Sequence, residues 1–189
     1  KNGWPVAGEV FKEGTYEIES ERRGYALELA VDFVRMEYTR HRFWEKDDTP
    51  VVPLKPQTLE DVIGTWPQGK INVRIGDYMF RPHQKWTITA VPNGGGYLGG
   101  PYYKIVIEGT NRALAATAGA EIVTVPEFTG APEQLWRIDQ LTDGTYRIMP
   151  KKVPGTDKEL VLVSVGDSTP SLGIFDMNSD NSKWNFRDH

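Results

Sequence analysis

At 189 residues the chain is long enough to bury a core without covalent staples, and with no cysteine it has no disulfide, thiol nucleophile or thiolate metal site. A formal net charge of −4, with no block of like charge, lacks the footprint of a nucleic-acid binder, and the apolar runs are too short for a transmembrane helix. Nineteen Gly, thirteen Pro and 11% aromatic residues suit many short strands joined by tight turns. The absence of an Asn-x-Ser/Thr sequon and the start at Lys1 rather than Met leave both cytosol and secretion open, with a removed leader or trimming as the reading of the first residue.

Residues 1–13 carry Trp4 and Phe11 and read as an arm laid over the body, with Trp4 as a packing anchor. Thr15 to Ile18 and Tyr25 to Leu29 are the first two predicted strands, separated by the charged turn Glu21-Arg22-Arg23-Gly24. Between about residues 31 and 70 the regularity breaks. Val31 to Trp44 is aromatic and basic, with alternation from Phe33 to Thr39 suggesting a strand; Asp47 to Pro67 is rich in proline and acidic residues. Thr58-Leu59-Glu60-Asp61-Val62-Ile63 spells one helical turn capped by Thr58.

Ile71 to Ile75 resumes the strands and Gln84 to Ala90 supplies another; Pro92-Asn93-Gly94-Gly95-Gly96 marks a turn. Further strands are predicted near Tyr103 to Ile107, Arg112 to Ala116, Glu121 to Val125 and Leu135 to Asp139. Four more follow near Thr145 to Met149, Glu159 to Val165, Leu172 to Phe175 and Lys183 to Arg187.

Two signatures recur in this series. Gln84-Lys85-Trp86 returns as Gln134-Leu135-Trp136 and, altered, as Ser182-Lys183-Trp184, at intervals of about fifty residues. Upstream of each stands Gly14-Thr15-Tyr16-Glu17-Ile18, Pro101-Tyr102-Tyr103-Lys104-Ile105 or Gly144-Thr145-Tyr146-Arg147-Ile148. Two signatures in the same order three times predict three repeats of four strands, about 14–91, 101–141 and 143–189, in one all-β domain spanning 1–189. The first repeat is longer than the others by roughly 30 to 40 residues, so 31–70 reads as an insertion, a loop on one face. The recurring Trp is expected to fill a shared core and the neighbouring Gln to hold a turn through backbone hydrogen bonds.

Three QxW-type triplets, each opened by a Gly-x-Tyr-x-Ile strand, resemble the β-trefoil of the ricin B-chain lectin family, the fungal members above all, over roughly residues 13–188 without the insertion. The stretches Leu135 to Ile138 and Gly144 to Ile148 are also similar to the mycocypin-type trefoil protease inhibitors. The lectin resemblance implies one shallow sugar site per repeat: a carboxylate on the second strand accepting from hydroxyls, an aromatic stacking on the ring, and an Asn just before the QxW Gln.

Tested residue by residue, no repeat keeps the full set. In the first, Glu28 occupies the Asp position and His83 the Asn position, with Tyr38, Phe43 and Trp44 of the insertion as available aromatics. In the second, the Asp position falls at Ala115-Ala116 and Glu133 replaces Asn. The third retains Asn181 and offers Phe175 for stacking, with its Asp position near Val161. The resemblance thus implies a noncatalytic carbohydrate-binding module with degenerate sites, the best in the first repeat, and glycans or glycoproteins as partners. The inhibitor resemblance directs attention to Asn111-Arg112 between two predicted strands, or to Arg40-His41-Arg42 in the insertion, with a protease as partner. A third reading is a protein-interaction or toxin-like module whose sugar sites have decayed.

Other patterns carry less. Gly94 to Gly99 satisfies G-x-G-x-x-G but leads into Pro101 and a strand, so no helix N-terminus is there to hold a pyrophosphate. Asp176 to Asn181 imitates the opening of a calcium loop, yet its sixth position is Asn and its twelfth Arg187. His41, His83 and His189 lack metal-ligand spacing, and no Ser lies in a G-x-S-x-G elbow. The sequence therefore predicts no cofactor, no metal and no catalytic residue, and is silent on oligomeric state.

Overall fold

The computed structural model describes residues 10–20, 25–31, 58–92, 96–97, 100–166 and 168–188. The expected Trp4 anchor, the turn at 21–24, the strand through Phe33 to Thr39, the Arg40-His41-Arg42 segment with Tyr38, Phe43 and Trp44, and His189 lie outside the described residues.

The strands follow the alternation of the sequence: β1 (Gly14–Ser20), β2 (Tyr25–Leu29), β3 (Ile71–Asp77) and β4 (Trp86–Ala90), with helix α1 (Leu59–Ile63) before β3. A two-residue pair, β5 (Gly96–Tyr97) and β6 (Gly100–Pro101), leads into β7 (Tyr103–Ile107), β8 (Ala113–Ala116), β9 (Ile122–Val125) and β10 (Trp136–Gln140). The last four are β11 (Tyr146–Pro150), β12 (Val161–Val165), β13 (Thr169–Gly173) and β14 (Trp184–Asp188). α1 carries the expected capping box: the Thr58 hydroxyl accepts from the Asp61 amide at 3.1 Å and the Asp61 carboxylate accepts from the Thr58 amide at 3.2 Å. The expected strand near Leu172 to Phe175 instead runs Thr169–Gly173. Gly166, at φ +64°, follows β12 directly, and Val165 pairs with Thr169.

Six strands close on themselves. β1 pairs with β4 and β14, β4 with β7, β7 with β10, β10 with β11, and β11 with β14, all antiparallel. Closure leaves this ring no free edge. The remaining hairpins, β2–β3, β8–β9 and β12–β13, stand between the first and last strand of each four-strand set.

The recurring signatures meet in space. Tyr16 lies opposite Trp86, Tyr103 opposite Trp136 and Tyr146 opposite Trp184. Each of these Trp side chains is fully buried, and each indole N–H donates at 2.9 Å to a backbone carbonyl of a hairpin strand: Leu27, Leu114 and Leu162. A buried indole satisfies its one donor this way, so each bond ties a hairpin to the barrel and sets its register. Phe11 packs against Tyr16, Tyr103, Tyr146 and Phe186, with ring centroids 4.6 to 5.9 Å apart. The Tyr103 hydroxyl donates to the Phe11 carbonyl and that of Tyr16 to the Lys12 carbonyl, so this part of the expected arm is seated on the body. No helix among the described residues is long and apolar enough to cross a membrane.

Candidate functional site

The three equivalent indole bonds fix which hairpin residues correspond. One residue past the accepting carbonyl stand Glu28, Ala115 and Val163, so in the third repeat the place of the carboxylate is Val163 rather than Val161, two residues later than its sequence placement. Of these three positions only Glu28 brings a hydrogen-bonding side chain.

Glu28 and His83 do come together. Glu28 is 4% exposed, its Oε2 accepts from Arg74 Nε at 2.7 Å, and His83 Nε2 lies 3.4 Å from the same oxygen. Gln84 Nε2 donates to Glu28 Oε1 at 2.8 Å. Burial alone would push this carboxyl up, but the hydrogen bonds from His83, Arg74 and Gln84 outweigh it and hold Glu28 below the usual carboxylate range. Arg74 sits directly across the hairpin from Glu28, donates also to the Val31 carbonyl, and keeps 42% of its side chain exposed. Gly76 leaves room for the carboxylate: a Cβ there would stand 2.5 Å from Glu28 Oε1. Glu28 is thus the inner half of an ion pair whose outer half, Arg74, reaches solvent.

Gln84 carries the same network into the next loop. Its Oε1 accepts from the amides of Met79 and Arg81, and its amide also donates to the Asp77 carbonyl. The expected turn-holding role of the QxW Gln is seen here and again at Gln134, whose Oε1 accepts from the Thr129 amide at 2.7 Å. In the third repeat Ser182 takes the place, donating to the Asp176 and Ser179 carbonyls.

Between the two amides gripped by Gln84 lies Phe80, a residue that the sequence reading missed. Its φ is +57°, and it is 69% exposed. The position that matches it in the second repeat, four before the QxW Gln, is Gly130 at φ +83°. A left-handed backbone suits glycine and disfavours a bulky side chain. Phe80 therefore stands where its sister repeat uses the permissive residue, with its ring 4.7 Å from that of Tyr78. The one sequence signal was the alignment of Phe80 with Gly130, which requires the loop register to be known.

The other expected residues are placed apart. Phe175 is half-buried beneath Arg147, whose guanidinium carbon lies 4.9 Å from the ring centre. Asn181 is exposed, and its carbonyl accepts from Ser164 Oγ at 3.4 Å. Asn111 is exposed on the β7–β8 turn and donates to Glu127 at 3.3 Å. Arg112 beside it is 7% exposed and donates to the Pro67 and Gly69 carbonyls at 2.9 and 2.8 Å, so its guanidinium holds the chain together and is not presented to a protease. The calcium-like stretch is a turn in which the Asp176 carboxylate accepts from the Asn178 amide. Among the described residues no cluster of three or more His, Asp or Glu side chains is placed to hold a metal ion.

The fold is similar to that of known structures. The designed threefold-symmetric protein ThreeFoil superposes at a TM-score of 0.58 with 19% identity over 93% of this chain and 99% of its own. The chain is a β-trefoil.

Residues 82–169, just under half of this trefoil, match the model of the ricin-type β-trefoil lectin domain-like family, so the ricin-type resemblance read from the sequence holds. The trefoil also matches the Polyporus squamosus lectin, with 17% identity and a TM-score of 0.56 over 94% of this chain and 50% of that one. A mosquitocidal holotoxin matches with 14% identity and a TM-score of 0.62 over 95% of this chain. The trefoil spans only 18% of that toxin's length. No curated protein matches it in sequence.

Proposed function

We propose that this trefoil is a noncatalytic carbohydrate-binding module whose glycan contact is the first-repeat corner built by Phe80, Arg74, His83 and Glu28. The observation that carries the reading is Phe80, an exposed aromatic in a left-handed backbone whose neighbouring amides are held by Gln84, the residue that also binds Glu28. A non-glycine residue in that conformation costs on the order of 1–3 kcal/mol, and such strain is retained where the surroundings enforce it and function uses it. An exposed aromatic ring covers the apolar side of a pyranose, and Arg74 offers donors to its hydroxyls. Glu28, being buried, acts through Arg74 and Gln84, fixing the first and anchoring the loop that carries Phe80. The second and third repeats have Ala115 and Val163 in place of that carboxylate, which supports degenerate sites there.

The Polyporus squamosus lectin was captured with a Neu5Acα2-6Galβ1-4GlcNAc epitope. That binding, on the same fold, favours glycans as the ligand class here. The inhibitor reading retains only Asn111 as an exposed candidate on its loop, since Arg112 is engaged inside the protein.

The test is a glycan array probed with the intact protein beside Phe80→Ala and Glu28→Gln variants of matched thermal stability. The expected result is at least one glycan that the parent binds and both variants lose. Undiminished binding of every such glycan in Phe80→Ala overturns the first-repeat site, and silence of the parent across the array overturns the lectin reading.

A further inference from the structure

A second feature is lined by a different set of residues. The end of the insertion, from α1 to Gln68, and the β7–β8 turn enclose a cleft of about 500 Å³, within the span of roughly 300–1,000 Å³ usual for small-molecule sites. We propose that this cleft is a separate binding site for a neutral saccharide ring. The proposal stands on its own residues and does not rest on the first-repeat reading.

Ile63, Trp66, Pro67 and Pro126 line it together with the polar Asn111 and Glu127. The hydrogen bond from Asn111 Nδ2 to Glu127 Oε2 orients both groups, and each keeps capacity: the amide has a second N–H and the carboxylate has further lone pairs. A donor and an acceptor side by side complement two neighbouring hydroxyls, while the apolar wall takes the C–H face of a ring.

Charge selects the ligand further. Two carboxylates, Glu60 and Glu127, line the cleft, and the one cation among its described lining residues, Arg112, is buried with its guanidinium bound to the Pro67 and Gly69 carbonyls. An anionic sugar would meet like charge there without compensation, so the site discriminates against sialylated and sulfated rings.

The cleft is also preformed. Arg112 ties its floor to 67–69, the Thr58 capping box fixes α1, and Gly109, at φ +78°, lets the turn approach that helix. A Cβ at Gly109 would stand 2.8 Å from Leu59 Cδ2 and would be strained at this φ, so glycine favours the approach. Preorganisation of this kind lowers the ordering cost of binding.

The experiment is an NMR titration of the full chain with the methyl glycosides of galactose, glucose, mannose and N-acetylglucosamine, and with a methyl sialoside. The reporter is the Trp66 indole N–H signal, assigned through Trp66→Phe. At least one neutral glycoside should shift it saturably, and the sialoside should not. Glu127→Gln and Asn111→Ala, both surface changes, should weaken that binding about tenfold or more, and Phe80→Ala should leave it intact. A Trp66 signal that no neutral glycoside moves, or a shift unaltered in Glu127→Gln and Asn111→Ala, overturns the inference. So does a shift that Phe80→Ala abolishes, because the ligand then sits at the first-repeat corner, which the glycan array tests separately.

Discussion

Gln84 donates its side-chain amide to the buried Glu28 carboxylate at 2.8 Å, joining the turn that leads into β4 to the β2–β3 hairpin. Gln134, its counterpart, accepts from Thr129, and the hairpin of its repeat carries Ala115 at the position of Glu28. Removing Gln84 leaves a charged acceptor and two loop amides short of partners, whereas removing Gln134 strands no charge. Gln84→Ala should cost about 2–4 kcal/mol and Gln134→Ala about 1–2 kcal/mol, read from urea denaturation midpoints. Equal costs would show that the Glu28 bond adds nothing to the turn-holding role.

Phe80 should separate stability from binding. Phe80→Gly replaces a strained left-handed residue by the type found at Gly130, so stability should stay level or rise by up to about 1 kcal/mol despite the added freedom of the unfolded chain. Glycan affinity should fall about tenfold or more through the lost ring. Thermal melts and array titrations of the same preparation check both halves, and a substantial loss of stability would mean that the ring is packed into the fold.

Two buried carboxyls should give opposite pH signatures. Glu28, held below its ordinary value of 4.5, contributes stability that is present above that value and lost as pH falls through its depressed folded pKa. Glu17 is pushed up to about 7 by burial and by Glu19, against the pull of Arg187. The folded state therefore holds a proton that the unfolded state releases, and stability declines as pH rises from 4.5 to about 7. Denaturation of Glu17→Gln across this window should show the decline removed, so that the variant gains on the parent at the alkaline end. An unchanged slope would place the proton elsewhere.

Phe11 joins the rings of Tyr16, Tyr103, Tyr146 and Phe186 in one cluster. Phe11→Ala should cost about 3–5 kcal/mol, at the lower end because the ring is half-buried, as measured by chemical denaturation. Stability within about 0.5 kcal/mol of the parent, the range of an ordinary surface change, would show that the arm is not part of the core.

The sequence by itself determined the fold and its threefold plan. A Tyr and a Trp recurring at fixed places are bulky groups that must be buried, and three matched pairs, Tyr16 with Trp86, Tyr103 with Trp136 and Tyr146 with Trp184, have one common solution in a closed barrel. It also brought Glu28 and His83 to notice as a pair, because both fall at positions defined by those repeats. Only the tertiary structure decided what such residues do. Glu28 is an internal carboxylate because Arg74 and Gln84, remote in sequence, supply its donors; Arg112 is buried because the carbonyls of 67–69 lie above it. Phe80 was hidden for a further reason. Its role depends on a backbone angle that its own side chain disfavours, imposed by the bonds of Gln84 to the residues on either side, and local propensity points away from a conformation that long-range contacts enforce.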